Sequence, residues 1–117
     1  MTAVLRIAAF SDGNNGGNPA GVWIGDVLPD ASQMQAIAAD VGFSETAFAA
    51  PVGEAWRVRY FSPLMEVPFC GHATIALGAA LAHQHSDRSF ELNLNDAAIS
   101  VSGRRDGNTI AAALMEA

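Results

Sequence analysis

Apolar and polar positions in this chain switch period several times, and each switch predicts an element. Val4, Ile7 and Phe10 mark an early apolar segment that runs into a polar, glycine-rich stretch at residues 11–19. Gly, Asn and Pro tolerate turn dihedrals, so that stretch reads as an ordered loop. Residues 21–24 read as a short strand. Met34, Ile37, Ala38 and Val41 then recur at helical spacing, which predicts a helix capped by Asp30 or Ser32 and ended by Gly42. Beyond it the period falls to two. Residues 46–49 and 56–61 read as half-buried strands separated by a turn around Pro51 and Gly53. In the second of these, Trp56, Val58 and Tyr60 share one face while Arg57 and Arg59 share the other.

Pro63 and Pro68 break the chain ahead of a second helix, predicted from Gly71 to about His83. Ala73, Ile75, Ala76, Leu77, Gly78, Ala79, Ala80, Leu81 and Ala82 leave it almost no polar face. A helix apolar all round is buried all round. Strands predicted at residues 90–94, 99–102 and 109–115, with Asp106-Gly107 as a hairpin signal, supply the cover. The simplest packing is a sheet wrapped around one central helix, whose Ala and Gly residues let strands approach closely. The expected fold class is α+β.

Composition narrows the function. The chain has 117 residues, 50% hydrophobic and 15% charged, against about 25% charged in an ordinary soluble domain. That length suits one domain, spanning residues 1–117. Six basic residues, all Arg, face 12 acidic ones for a net charge of -6. With no local basic run to compensate, nucleic acid is not an expected partner. The longest apolar stretches, residues 73–82 and 109–115, fall well short of the roughly 20 residues a membrane span needs. No secretion signal opens the chain, so a soluble cytoplasmic domain is expected. Cys70 is the single cysteine, which excludes an intrachain disulfide and a multi-cysteine zinc site.

Two clusters carry candidate chemistry. Phe43-Ser44-Glu45-Thr46 lies where the first helix passes into a strand, and Phe69-Cys70-Gly71-His72-Ala73-Thr74 opens the second helix. A helix start leaves backbone N–H groups unpaired and partly positive, suited to a carboxylate or a developing enolate. Gly71 gives a ligand close access to the backbone. The same N–H groups favour the Cys70 thiolate, and His72 adds a donor or a proton relay. Glu45, beside the apolar Phe43, suits general acid/base work. Each residue also has a plainer reading: Cys70 as a small buried hydrophobe, Glu45 as a solvated carboxylate, His72 as a structural hydrogen-bonder. His83 and His85 read as surface residues, with no third metal ligand in view.

The order of these segments resembles the first half of the phenazine-biosynthesis PhzF-like isomerases. The matching residues are Gly17-Asn18-Pro19-Ala20-Gly21-Val22, Met34-Gln35-Ala36-Ile37-Ala38, Ser44-Glu45-Thr46-Ala47-Phe48, Arg57 to Pro63, and Glu66 to Thr74, with the Asp106-Gly107 hairpin closing the match. The resemblance implies the diaminopimelate epimerase fold, a mainly antiparallel sheet rolled around a central helix, here as a single half-domain. It also implies proton-shuttling isomerisation without cofactor or metal. By the same resemblance Glu45 is the general acid/base, Gly71 and His72 orient substrate and transferred proton, and Cys70 takes the place of an epimerase cysteine. Ala73, Ser44 and Asn18 complete the implied substrate-binding set. Family members are longer and hold their site in a cleft between two pseudo-symmetric halves. A second half-domain or a second copy in a homodimer, with a small-molecule substrate between, is therefore the expected partner. The other expectations are a non-catalytic binding or assembly module and a truncated gene product.

Overall fold

A computed structural model describes residues 4–9, 18–43, 45–85, 88–106 and 109–116. The elements are β1 (Leu5–Ala9), β2 (Asn18–Ile24), α1 (Ala31–Val41), β3 (Thr46–Val52), β4 (Ala55–Phe61), β5 (Glu66–Val67), α2 (Gly71–His85), β6 (Arg88–Asn93), β7 (Ala98–Asp106) and β8 (Thr109–Glu116). All strands join one sheet in the order β1-β2-β3-β4-β6-β7-β8, with β5 added on β4. Among the described residues only the β2–β3 and β4–β6 pairings are parallel; the others are antiparallel.

The central-helix expectation holds. α2 touches β1, β2 and β3 toward one end of the sheet order and β6, β7 and β8 toward the other, so the sheet curls about it. Ala73, Ala76, Leu77, Ala80 and Leu81 pack with Val22, Ala47, Val58, Tyr60, Leu92 and Val101 in the main core. The small residues do set the approach distance. A Cβ on Gly78 would stand 2.7 Å from a Val101 methyl, closer than packed carbons tolerate.

Alternation in the strands places a second cluster on the opposite face. Trp23, Phe48 and Phe61 point away from α2 and meet Met34 and Ala38 of α1. Asp30, not Ser32, caps α1: its carboxylate accepts from the Gln33 N–H, and the Gln33 side chain returns the bond to the Asp30 N–H. Gly42 ends the helix in the left-handed region at φ 80°, where a side chain would be strained.

β4 buries Trp56, Val58 and Tyr60 and leaves Arg57 and Arg59 on the other face, as the alternation predicts. The hairpin before it is tighter than expected. Pro51 stays paired with Trp56, and the turn falls on Gly53 and Glu54. β5 was not foreseen. Arg59 holds it through two hydrogen bonds to Glu66, at 2.8 and 2.7 Å. The Asp106–Thr109 pairing fits the predicted hairpin; its Gly107, like the polar loop at residues 10–17, lies outside the described residues. The side chains of His83 and His85 do too. No helix among the described residues is long and apolar enough to cross a membrane.

Candidate active site

The start of α2 is built by a buried hydrogen-bond chain. The Cys70 carbonyl accepts from the Thr74 N–H at 3.0 Å and from the Thr74 hydroxyl at 2.8 Å. Since a carbonyl only accepts, the Thr74 hydroxyl spends its proton there, and the Tyr60 hydroxyl, 2.6 Å from Thr74 Oγ1, donates in turn. Burial pushes the Tyr60 hydroxyl up to about 12, which keeps that proton in place. The helix start is thus tied to the middle of the core.

Glu45 arrives from the other direction. It follows the Gly42 cap and precedes β3, and its carbonyl accepts from the Gly21 N–H at 3.1 Å. Its side chain crosses to α2, where the Cys70 thiol donates to Oε1 at 2.9 Å. His72 Nδ1 lies 3.3 Å from the same sulfur, and His72 Nε2 lies 3.9 Å from Glu45 Oε1. Cys70 is buried, whereas the Glu45 and His72 side chains keep 21% and 17% exposure, enough for a ligand to reach them. His72 Nε2 itself is buried and makes no hydrogen bond.

One expectation is overturned. The helix start was expected to favour the Cys70 thiolate, but burial pushes the thiol up to about 11. The hydrogen bond that the thiol donates to Glu45 is the second cause of that rise, and the Ala73 and His72 N–H groups offset it only in part. At neutral pH the residue is a thiol that donates to a carboxylate. Its iodoacetamide alkylation is therefore expected to run about 100-fold slower at pH 7.5 than that of an ordinary thiol, climbing until about pH 11. Glu45→Gln removes a charge that raises the thiol and shifts that profile to lower pH. A rate that levels off below pH 9 would refute this account.

The other predicted site residues fall as follows. Gly71 opens α2, and a Cβ added there meets nothing nearer than 3.9 Å, so the space beside it is open. Ala73 buries its methyl in the core and offers the site only its N–H. Asn18 opens β2, where its backbone pairs with Ala9; its side chain, like all of Ser44, lies outside the described residues.

The family model for phenazine biosynthesis-like proteins, PhzC-PhzF, matches residues 7–115. The chain belongs to the PhzC-PhzF family. It is 38% identical over 108 residues to the uncharacterized isomerase PA2770 of Pseudomonas aeruginosa, covering 92% of this chain and 42% of that one. It superposes on a Bacillus anthracis phenazine biosynthesis protein of the PhzF family with a TM-score of 0.76 and 33% identity, covering 90% of this chain and 36% of the other. A hydroxyproline epimerase from Agrobacterium vitis, at 12% identity and TM-score 0.66, shares the fold. This PhzC-PhzF chain spans less than half the length of the relatives it matches.

Two features of the PhzC-PhzF site escaped the pattern of the sequence. The Tyr60–Thr74–Cys70 chain had a signal, since Thr74 is a polar residue in an otherwise apolar helix and Tyr60 is an inward tyrosine. The Arg59–Glu66 clamp pins β5 just ahead of Phe69 and Cys70, and Asn95 adds a third bond to Glu66 at 2.9 Å. Its only signal was the Arg-x-Arg alternation of β4.

A packing constraint stands behind Glu45. A Cβ on Gly21 would lie 2.7 Å from Thr46 Oγ1 and 3.0 Å from its methyl, and Thr46 is fully buried. Gly21→Ala is expected to destabilise the fold by about 1–3 kcal/mol, read from urea unfolding. An unchanged midpoint would show that β2 and β3 can separate at no cost.

Proposed function

We propose that this chain supplies one wall of a cofactor-independent proton-transfer isomerase, with Glu45 as the general acid/base. The observation that carries this reading is the Glu45 carboxylate held 2.9 Å from the Cys70 sulfur at the opening of α2. A partly exposed carboxylate there sits beside the start of α2, whose partly positive N–H end favours an anionic group on a substrate. The same groups would stabilise an enolate as a carbon-bound proton leaves to Glu45. Gly71, with open space on its Cβ side, lets a carboxylate-bearing substrate reach those N–H groups. His72 stands within 3.9 Å of Glu45 to steady the substrate or relay the proton.

The opposite wall comes from a second half-domain or from a second copy of the chain. Leu64, Met65 and Phe69 are exposed, and they sit at the end of the sheet that carries Glu45, because Thr46 pairs with Phe61. An apolar rim there favours association. In a two-fold dimer Glu45 would face its own mate. Sedimentation of the chain across a concentration series, paired with deuterium incorporation from heavy water into small carboxylate-bearing carbon acids, tests the reading. Exchange that rises with the dimer fraction is the expected result. Dimer without exchange across such a panel would overturn the catalytic reading in favour of a binding or assembly module. A monomer at all concentrations would overturn the two-copy version.

A further inference from the structure

Glu45, Cys70 and His72 are also three metal-ligating side chains, and one donor atom from each lies within 4.8 Å of the others. Thiol sulfur, imidazole nitrogen and carboxylate oxygen form the donor set of borderline-soft divalent cations, zinc above all; magnesium and calcium take oxygen ligands. Around tetrahedral zinc, donors at about 2.0–2.3 Å from the metal stand roughly 3.5 Å from one another. With Glu45 Oε1 as the reference, the Cys70 sulfur stands 2.9 Å away and His72 Nε2 3.9 Å away, on either side of that value. A separate observation points the same way: His72 Nε2 is buried, unpartnered and on the Glu45 side of the ring. The donors come from two elements that the core already fixes, the entry to β3 and the first turn of α2, so little ordering remains for a metal to impose.

We propose that Glu45, Cys70 and His72 bind a zinc ion, with water or a substrate oxygen in the fourth position. On binding, the Cys70 S–H bond breaks, its proton passes to the buffer, and the sulfur keeps the electron pair as a metal-bound thiolate. No group is oxidised or reduced. Because the ion would occupy the groups assigned above to proton transfer, zinc and turnover exclude one another; that consequence rests on the proposed function, but the binding does not.

The test needs no substrate. Cobalt(II) serves as the spectroscopic stand-in for zinc and is titrated into the untagged, reduced full chain. The expected result is a near-ultraviolet thiolate-to-cobalt band with intense visible bands of tetrahedral cobalt, saturating at one equivalent and bleached by zinc but not by magnesium. Cys70→Ser should remove the thiolate band, and Glu45→Gln and His72→Gln should each weaken binding about tenfold or more. If Cys70→Ser fails to fold, the other two variants carry the test, since both residues are partly exposed. The proposal is overturned if the thiolate band does not form, if magnesium displaces cobalt as well as zinc does, or if Glu45→Gln and His72→Gln bind cobalt as tightly as the parent.

Discussion

Leu77→Ala is expected to lower the unfolding free energy by about 2–5 kcal/mol and the urea midpoint by roughly 1–3 M. Leu77 is fully buried at the centre of α2, among Ala20, Val22, Leu81, Phe90, Leu92 and Val101. Apart from Leu81, on α2 itself, those residues come from β2, β6 and β7, toward both ends of the curled sheet, and the strands are tied to one another by backbone bonds. They cannot collapse inward on a missing side chain, so the lost transfer energy is joined by the cost of a cavity. A domain of this size holds about 5–15 kcal/mol in all, so the variant would sit near its unfolding threshold at physiological temperature. Val27→Ala makes the control: Val27 is 77% exposed, and its loss should stay within about 0.5 kcal/mol. A Leu77→Ala effect as small as the control would mean that the sheet does not enclose α2.

That enclosure was legible in the chain because it follows from composition alone. A turn-after-turn run of Ala, Leu, Ile and Gly has no face to give to water, and β4 announces its inward set through Trp56, Val58 and Tyr60. The Gly42 stop was equally plain, whereas the start left Asp30 and Ser32 both open, and Asp30 is the cap. β5 was not legible, since two residues between two prolines carry no period; its place is fixed by the Arg59–Glu66 pair across β4. In the site, residue types and their helix-start placement pointed to Glu45, Cys70 and His72. The protonation state of Cys70 did not follow. It depends on burial and on a carboxylate 25 positions earlier in the chain, and local spacing reports neither. The N–H groups of His72 and Ala73 do favour the thiolate, but burial and the bond to Glu45 oppose them with the larger effect.

The state of Cys70 decides what mutation of the site should do. In the assembled, exchange-competent protein, Glu45→Gln is expected to cut the rate of deuterium incorporation by about 10²–10⁴-fold, the range a general base contributes. Glutamine keeps the shape of the side chain and an oxygen that accepts the Cys70 S–H, so folding should be unaffected and the loss is one of proton transfer. Cys70→Ser should cost far less. With its thiol raised to about 11, Cys70 is protonated at neutral pH and acts as a donor to Glu45, a role that a serine hydroxyl can fill. A symmetric site in which two thiols face each other across the dimer, one taking the proton and the other returning it, predicts the reverse order, with Cys70→Ser abolishing exchange. Proton NMR of the substrate α-position in heavy water reads both variants. If exchange survives Glu45→Gln and vanishes with Cys70→Ser, the thiol is the base and the assignment of Glu45 fails. If the loss follows Glu45, the thiol–carboxylate contact is how the fold orients its base: a buried sulfur, on a residue whose backbone carbonyl is held by the Tyr60–Thr74 chain at the helix start, fixes where the carboxylate points.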